Sequence, residues 1–379
     1  MILAIDTSCD ETSAAITDGR RVLSNVISSQ IDIHKKYGGV YPALAKRAHQ
    51  ERIDFVIKEA LKRSSTILYH PLPSSNSLKE SKGLLKDIKA VAVTYGPGLA
   101  IALEVGIKMA KEICENPLVI RENHRIPLIA INHLEGHIYS CLAQNSRGVP
   151  EREIAFPALC LIVSGGHTEI VLMKDHGVYE VIGATLDDAC GEALDKAAKI
   201  LHLGYPGGPI IEQLAEQGHI CANPLVIREN HKFHFNPPLR EKSNLDFSYS
   251  GLKTQLLYLV QKMSEDELGK NLYHLAASFQ EACFEQIIRK VTRAIKIHQP
   301  KTIICGGGVI ANKYLRKLMR RVAKENNLPV LFPPYKNLTG DNAAMIGVAA
   351  HYKYPRGEFV KNPEMLDREP RLRLDSRGF

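Results

Sequence analysis

One pattern occurs twice in this 379-residue sequence and constrains its fold more than any other feature. The first copy contains three short segments of β-like apolar residues separated by polar turns: Ile2 to Asp6, Thr12 to Thr17 and Val22 to Ile27. Short β-like segments with turn residues between them predict three antiparallel strands. The segment from Tyr41 to Lys62 then has the apolar period of a helix.

The second copy repeats this plan in the middle of the chain. Its three strand-like segments are Ala158 to Val163, Thr168 to Met173 and Tyr179 to Ile182, and a helical pattern follows from Asp187 to Leu201. Two similar units in one chain predict a duplicated α/β protein with two lobes and a cleft between them.

The other segments complete these units. Buried strands are predicted at Ala90 to Val93, Leu128 to Ile131 and Lys301 to Cys305; helices are predicted up to Ile113, from Glu265 to His298 (one or two), from Asn312, and from Ala343 to Tyr352. We place a first lobe at 1–130, a second lobe at 131–352 and a charged tail at 353–379. We expect surface excursions near 64–86, 114–124 and 221–231, and poor order from Pro355 onward.

Composition excludes some classes of protein. No apolar run is long enough for a membrane span, and the first residues lack the pattern of a secretory signal, so we expect a cytoplasmic protein without membrane contact. The eight cysteines occur singly, which argues against a zinc ribbon or a redox motif. The net charge of +8 is compatible with a polyanionic partner such as RNA.

Two histidines in the sequence INHLEGH are candidate metal ligands. His133 and His137 are four residues apart, so on a helix they share one face and both imidazoles can reach one ion. Histidines with ordinary hydrogen bonds are the alternative. Asp341 precedes another predicted helix, where it is either the helix N-cap or a third, carboxylate ligand.

Three turns are candidate anion or nucleotide sites. Thr7 to Glu11 offers hydroxyls and carboxylates, Ser164 to Gly166 offers close backbone approach, and Gly306 to Asn312 links a buried strand to a helix N-terminus. Plain turns and packing glycines are the alternatives. The helix from Asn312 also carries a basic face that suits either RNA phosphates or solvent, formed by Lys313, Arg316, Lys317, Arg320, Arg321 and Lys324.

Several motifs occur together in the order of one known family: AIDTSCDET, HKKYGGVYP, TYGPGL, INHLEGH, LIVSGGHTE, DDACGEALDK, YPGGP, FSYSGLKT, GGGVIANKYLR and DNAAMIG. The chain resembles the tRNA N(6)-adenosine threonylcarbamoyltransferases of the bacterial TsaD type over nearly all of residues 1 to 352. The resemblance implies the two-lobed actin-like/sugar-kinase-like ATPase fold, with duplicated RNase H-like domains.

The resemblance also implies roles for individual residues. His133, His137 and Asp341 match the family's metal ligands, and Asp10 and Glu11 match acids needed for activity. The positions that match those binding threonylcarbamoyl-adenylate are Ile162, Val163, Ser164, Gly165, Gly166, Asp195, Gly208, Glu212 and Asn312. The implied reaction transfers the threonylcarbamoyl group from this adenylate to the exocyclic amine of the adenosine after the anticodon, in tRNAs reading codons that begin with A.

The family further implies a cofactor and partners. The expected cofactor is one divalent metal ion per chain, Fe(2+) in preference to Zn(2+). The expected partners are tRNA, an inactive actin-like paralogue of the TsaB type and a P-loop ATPase of the TsaE type. The chain departs from the family at Thr339-Gly340, usually Cys-Thr, at Ala43, usually Glu, and at Ile101, usually Gly.

Two other functions fit parts of the sequence. A metalloprotease would use the histidine pair, but Glu135 lies two positions after His133, about 200° around a helix and away from the ligand face. A nucleotide-dependent scaffold of the same fold would need no histidine pair. A peptide from Cys114 to His124 recurs almost unchanged from Cys221 to His231; we interpret it as two insertions into surface loops, with functional duplication as the alternative.

Overall fold

The first sheet contains five strands in the order β3-β2-β1-β4-β5 in the computed structural model, which describes residues 1–68, 87–115, 126–220, 232–239 and 243–376. Its strands are β1 (Ile2–Asp6), β2 (Glu11–Asp18), β3 (Arg21–Ser29), β4 (Ala90–Gly96) and β5 (Leu128–Asn132). The first three strands pair antiparallel, whereas β1, β4 and β5 run parallel. The predicted meander is therefore confirmed.

The second sheet repeats this topology in the order β10-β9-β6-β7-β8. Its strands are β6 (Ala158–Val163), β7 (Thr168–Asp175), β8 (Val178–Ala184), β9 (Thr302–Gly306) and β10 (Val330–Leu331). Strands β6, β7 and β8 pair antiparallel, and β9 and β10 extend the sheet in parallel. The two sheets have the same order and directions, so the predicted duplication is confirmed.

Helices cover both sheets. They are α1 (Ile31–His34), α2 (Pro42–Leu68), α3 (Ala100–Glu115), α4 (His133–Tyr139), α5 (Cys190–Ile200), α6 (Gly207–Ile220), α7 (Ser250–Val260), α8 (Glu265–His298), α9 (Lys313–Glu325) and α10 (Ala343–Lys353). Residues 265–298 form one helix, because Ser264 and Glu267 make a capping box at its start and no proline interrupts it. The basic and apolar faces predicted for α9 are also present, with its apolar residues buried.

Alternating side chains of the first strand of each sheet enter different cores. Leu3 and Ile5 of β1 pack with α2 and α3 in an outer core, whereas Ile2 and Ala4 point to a core shared with the second sheet. Strand β6 behaves likewise, with Leu161 in the outer core of the second sheet. The short helix α4 and the apolar helix α10 fill the shared core. The residues from 131 to 139 and from 341 to 353 therefore lie between the lobes.

The expectation of a poorly ordered tail was wrong for residues 355–376. Leu366, Leu372 and Leu374 are buried in the cores of the first lobe and of the interlobe region. The backbone N–H of Glu369 donates to the carbonyl of Tyr95 at 2.7 Å. Charge and proline dominate the tail's composition, but three spaced leucines are enough to fix it on the surface of the fold.

Some expectations lie outside the described residues or stay predictions. The surface excursion over 69–86 and both copies of the repeated peptide over 116–124 and 221–231 lie outside the described residues. The division at residue 130 stays a prediction; the first sheet ends at Asn132, and α10 packs against strands of that sheet. Across the described parts of the chain, no helix combines the length and apolar content needed to cross a bilayer.

Candidate active site

The two histidines lie at the start and middle of α4 and face one carboxylate. The side chain of Asn132 caps this helix by accepting a hydrogen bond from Leu134 N at 2.9 Å. Nε2 of His133 lies 3.4 Å from Oδ1 of Asp341, and Nε2 of His137 lies 3.3 Å from the same oxygen. The helix geometry predicted from the spacing therefore exists, and Asp341 approaches it from the far end of the sequence.

Asp341 does not cap the helix that follows it. The side chain of Asn342 does so, accepting from the backbone N–H of Met345 at 3.1 Å and donating to the carbonyl of Gly340 at 2.8 Å. The alternative interpretation of Asp341 as an N-cap is therefore wrong. Its carboxylate is left to point at the two imidazoles.

The donor atoms of this cluster suit a metal ion. One ligand atom from each of His133, His137 and Asp341 lies within 4.8 Å of the others. Nδ1 of both histidines and Nε2 of His137 are buried and make no hydrogen bond of good geometry, although Nε2 of His137 lies 3.3 Å from Asp341; this is costly unless another group satisfies them. Two imidazoles and one carboxylate form the set that binds Fe(II) in oxygenases and Zn(II) in hydrolases.

Without a metal ion, the pKa values of the two histidines shift in opposite directions. Burial lowers the pKa of His133, but the carboxylates of Asp341 and Asp6 outweigh burial and raise it to about 10. Burial also lowers the pKa of His137, and the charge on His133 adds to this effect. His133 therefore keeps a proton that balances the charge of Asp341. A divalent cation bound between the three side chains would replace this proton as the positive charge.

Further carboxylates surround this cluster. Asp6 is fully buried at the end of β1, and its Oδ1 lies 3.7 Å from Nδ1 of His133. Glu11 begins β2. Burial, followed by the charges of Asp10 and Asp341, raises the pKa of Glu11 well above its usual value. The turn from Thr7 to Glu11 thus brings carboxyl groups within electrostatic range of Asp341, an environment that favours a cation.

The glycine turns of the second lobe contact the histidine helix. A Cβ on Gly306, at the end of β9, would lie 2.5 Å from the carbonyl oxygen of His137. Gly307 has a φ of 96°, and a Cβ there would lie 2.3 Å from the carbonyl of Val163. Ile162 and Val163 end β6, so this strand, the β9 turn and α4 meet at one point. Only glycine permits this approach.

The Ser164–Gly166 turn is closed by its own hydrogen bonds. Ser164 N donates to the carbonyl of His167 at 2.8 Å, and His167 N donates to Oγ of Ser164 at 3.1 Å. Gly165 and Gly166 are exposed, with open space where a side chain would lie. Their backbone groups are therefore accessible from the cleft.

The remaining predicted binding residues lie on α5 and α6 and at the start of α9, in the second lobe. Asp195 accepts hydrogen bonds from Gly207 N at 2.7 Å and from Gly208 N at 3.3 Å, at the start of α6. Glu212 accepts from Lys313 N at 2.6 Å. Asn312 caps α9 and donates to Oε1 of Gln280 at 2.8 Å. Burial raises the pKa of Asp195, and the negative charge of Asp10 raises it further.

Glu135 lies on the other side of α4, as its position in the sequence predicted. Its Oε2 lies 3.1 Å from Nζ of Lys353, and its Oε1 accepts from the hydroxyl of Tyr179 at 3.0 Å. A protease would need this carboxylate beside the metal ligands. The structure pairs it with a lysine instead.

Two residues of the site were not singled out from the sequence. Asp6 belongs to the motif AIDTSCDET, but inside a buried strand nothing marks it as functional. The imidazole of His167 follows the Ser164–Gly166 turn, where burial and the charges of His133 and His137 lower its pKa to about 4. Both residues lie within or next to a motif, but position in a motif alone does not show which way a side chain points.

Most of the chain is similar in sequence to one known family of proteins. A family model described as tRNA N6-adenosine threonylcarbamoyltransferase matches residues 21–68 and 74–348. The chain belongs to this family. A threonylcarbamoyltransferase of Clostridium novyi (strain NT) is 41% identical over 99% of this chain and 98% of its own. One of Clostridium kluyveri (strain ATCC 8527) is 43% identical over the same shares.

The activity of the threonylcarbamoyltransferases, modification of an adenosine in tRNA, is therefore the activity of this chain, which is an enzyme with tRNA as substrate. A crystal structure of T. kodakarensis HypF has a TM-score of 0.54 with 13% identity, covering 96% of this chain and 48% of that chain. The likeness concerns the fold alone. Together with the two matching sheets it confirms the two-lobed actin-like α/β class.

Proposed function

We propose that the enzyme takes the threonylcarbamoyl group from threonylcarbamoyl-adenylate and transfers it to N6 of the adenosine that follows the anticodon, in tRNAs reading codons that begin with A. The observation that supports this proposal best is the contact between Gly306 and His137. It places the candidate nucleotide turns directly against the candidate metal ligands. A single bound molecule with an adenylate at one end and a threonyl group at the other suits such a site.

We propose that His133, His137 and Asp341 bind one Fe(2+) ion, in preference to Zn(2+). The unpartnered ring nitrogens of His137 and the two-imidazole, one-carboxylate donor set support this assignment. An ion held by these three residues would supply Lewis-acid chemistry for the threonylcarbamoyl carbonyl. Oδ1 of Asp6 lies 3.7 Å from Nδ1 of His133, so a small shift on metal binding would let this carboxylate orient the ring, as outer carboxylates commonly do for histidine ligands.

We assign the adenylate to the turns and helix ends of the second lobe. Exposed backbone at Gly165 and Gly166, after Ile162, Val163 and Ser164, suits the phosphate because N–H groups can point at an anion. Four further residues suit the nucleoside, because their hydrogen bonds join α5, α6 and the start of α9; they are Asp195, Gly208, Glu212 and Asn312. This arrangement fixes the position from which AMP leaves.

We assign the catalytic acids to Asp10 and Glu11. The exocyclic amine of adenine is a poor nucleophile. It must lose a proton as N6 bonds to the carbamoyl carbon and the bond from that carbon to the phosphate oxygen of AMP breaks. Glu11 begins β2 and Asp10 directly precedes it, and the charge of Asp10 is close enough to Asp195 to raise the pKa of that residue. A carboxylate in this position can accept the proton while AMP departs from the other side of the carbonyl.

The wider setting is also part of the proposal. We propose that the enzyme acts in the cytoplasm with an inactive actin-like paralogue of the TsaB type and a P-loop ATPase of the TsaE type. The long helix α2, with Phe55 exposed on it, offers a surface for a helical partner. The lobes are assigned to 1–130 and 131–352, followed by the charged tail from 353.

The test is nucleoside analysis of tRNA by mass spectrometry. The protein is incubated with preformed threonylcarbamoyl-adenylate, its partners and a tRNA that reads a codon beginning with A. We expect threonylcarbamoyladenosine at the position after the anticodon, and none in a control tRNA with guanosine there. Metal analysis of anaerobically purified protein is expected to give about one iron per chain. Modification without any bound metal, or at another position, would contradict the proposal.

A further inference from the structure

Two tyrosines form an exposed aromatic pair on the loop between α1 and α2. Tyr37 and Tyr41 are 57% and 53% exposed. Their ring centroids lie 5.6 Å apart, with an angle of 33° between the planes. Between them, Gly38 has a φ of 65°, and a Cβ on Gly38 or Gly39 would contact nothing within 4 Å. The ring faces are therefore open to a flat partner.

The surroundings of this pair are basic. Lys35 and Lys36 directly precede Tyr37 and are exposed. Residues 31–52 contain five Lys or Arg but only two Asp or Glu. On α2, Arg47 pairs with Glu51 at 2.8 Å and Lys46 pairs with Glu104 at 3.1 Å, so the excess on the loop comes from the exposed Lys35 and Lys36. The loop therefore carries a local excess of positive charge beside aromatic rings, a combination that binds single-stranded nucleic acid.

Hydrogen bonds hold the loop next to the candidate catalytic acids. Tyr41 N donates to Nδ1 of His34 at 3.2 Å, and Nε2 of that buried imidazole lies 3.1 Å from Oε1 of Gln30. Gln30 N in turn donates to the carbonyl of Asp10 at 3.0 Å. A ligand on the tyrosine pair would thus lie at the mouth of the site rather than on a remote surface.

We propose that Tyr37 and Tyr41 stack on unpaired bases of the substrate tRNA, while Lys35 and Lys36 contact the adjacent phosphates. This inference rests on the proposed function, which places the acceptor adenosine in a single-stranded loop. Bases in such loops can be unstacked and received by aromatic side chains. Stacking there would hold the neighbours of the acceptor and leave its amine free to enter the cleft.

The test uses the full chain with its partners and compares Tyr37→Ala/Tyr41→Ala with Tyr37→Phe/Tyr41→Phe. Each base–aromatic stack contributes about 1–3 kcal/mol, which is about 5- to 150-fold in Kd, so the alanine variant, which removes two stacks, is expected to weaken tRNA binding by at least about 30-fold. KM for tRNA should rise accordingly, with kcat changed less than about twofold. The phenylalanine variant keeps the rings and should bind like the wild type. Tyr258→Ala removes another exposed tyrosine, which is 60% exposed on α7, and serves as the matched control.

The lysines give an independent measurement. Removal of two phosphate contacts by Lys35→Ala/Lys36→Ala should reduce the slope of log Kd against log salt concentration by about 1.4. An unchanged Kd for tRNA in the Tyr37→Ala/Tyr41→Ala variant would overturn the inference, as would a loss of partner-protein binding with tRNA binding intact. Direct tRNA binding needs no transfer reaction, so this inference and the proposed function fail separately.

Discussion

Nζ of Lys353 lies 3.1 Å from Oε2 of Glu135, in an ion pair that joins the end of α10 to the middle of α4. Before the start of α10, Asp341 contacts the imidazole of His137 on α4. Between these two points a Cβ on Gly136 would lie 2.8 Å from Cδ1 of Ile346. The same two helices are therefore joined by charge at one place, by close packing at a second and by the candidate metal ligands at a third.

Breaking the buried ion pair should destabilise the protein. Lys353→Met leaves Glu135 buried opposite an apolar side chain, with Tyr179 as its remaining partner, so we expect a loss of about 3 kcal/mol in the free energy of unfolding. The double variant Glu135→Gln/Lys353→Met removes the unpaired charge and should recover part of that loss. Urea denaturation measures both. Equal stability of the wild type and Lys353→Met would show that the pair does not hold the helices together.

The cap of α10 should control the position of Asp341. Asn342→Ala removes the hydrogen bond to Met345 N, and we expect a loss of about 1 kcal/mol in stability. Because Asp341 directly precedes this residue, iron affinity measured by chelator competition should also fall. Asn342→Ser keeps an oxygen that can cap the helix and is the control. If Asn342→Ala bound iron as tightly as the wild type, the cap would have no part in positioning the carboxylate.

Every strand except the two-residue β10, and the starts of α8 and α9, could be predicted from the sequence because they depend on local patterns, whereas α6 and α7 were not predicted. Asn312 and Ser264 begin helices through hydrogen bonds within one turn, and the two meanders follow from alternation and turn residues. The role of Asn342 rather than Asp341 as the cap could not be predicted, since adjacent Asp and Asn are equally suited to it.

Contacts between distant segments were the other limit. No local pattern indicates that Asp6 lies beside His133, or that Leu372 and Leu374 of a charged tail are buried. The approach of Asp341 to the histidines was expected from the family resemblance, not from the residues around it. The orientation of Glu135 could be predicted, because it follows from the rotation per residue within a single helix.

Stability should depend on pH through Glu169. Burial raises the pKa of this carboxyl to about 7 from 4.5, against the opposing charge of Arg373, and its Oε2 has no hydrogen-bond partner. The folded protein therefore binds the proton more tightly than the unfolded chain, so the free energy of unfolding falls as pH rises from about 4.5 to about 7. The loss is at most about 3 kcal/mol.

Glu169→Gln isolates this contribution. The variant should be more stable than the wild type at pH 8, and the difference should become small at about pH 3.5, a full unit below the usual carboxyl pKa, where the wild-type carboxyl is protonated in both states. Thermal or urea unfolding of both proteins across this pH range provides the measurement. A difference that does not change with pH would mean that Glu169 has the same pKa in the folded and the unfolded protein.

Replacing Thr339-Gly340 by Cys-Thr, the sequence usual in the family, should be tolerated. A side chain at Gly340 would meet nothing within 4 Å, and Thr339 is buried with only a weak contact from its Oγ1 to the carbonyl of Tyr335 at 3.5 Å. We expect Thr339→Cys/Gly340→Thr to change stability by no more than about 1 kcal/mol and to retain iron. A variant that folds but loses iron would show that Gly340 is needed for the position of Asp341.

The central claim is that the metal ligands on α4 are needed for transfer from the adenylate. The most direct measurement is nucleoside analysis of tRNA after incubation with preformed threonylcarbamoyl-adenylate and either the wild type or His133→Ala/His137→Ala. Circular dichroism should show that the variant is folded. We predict threonylcarbamoyladenosine with the wild type and none with the double variant, which should also contain no stoichiometric iron. Full transfer by the folded double variant would contradict the account.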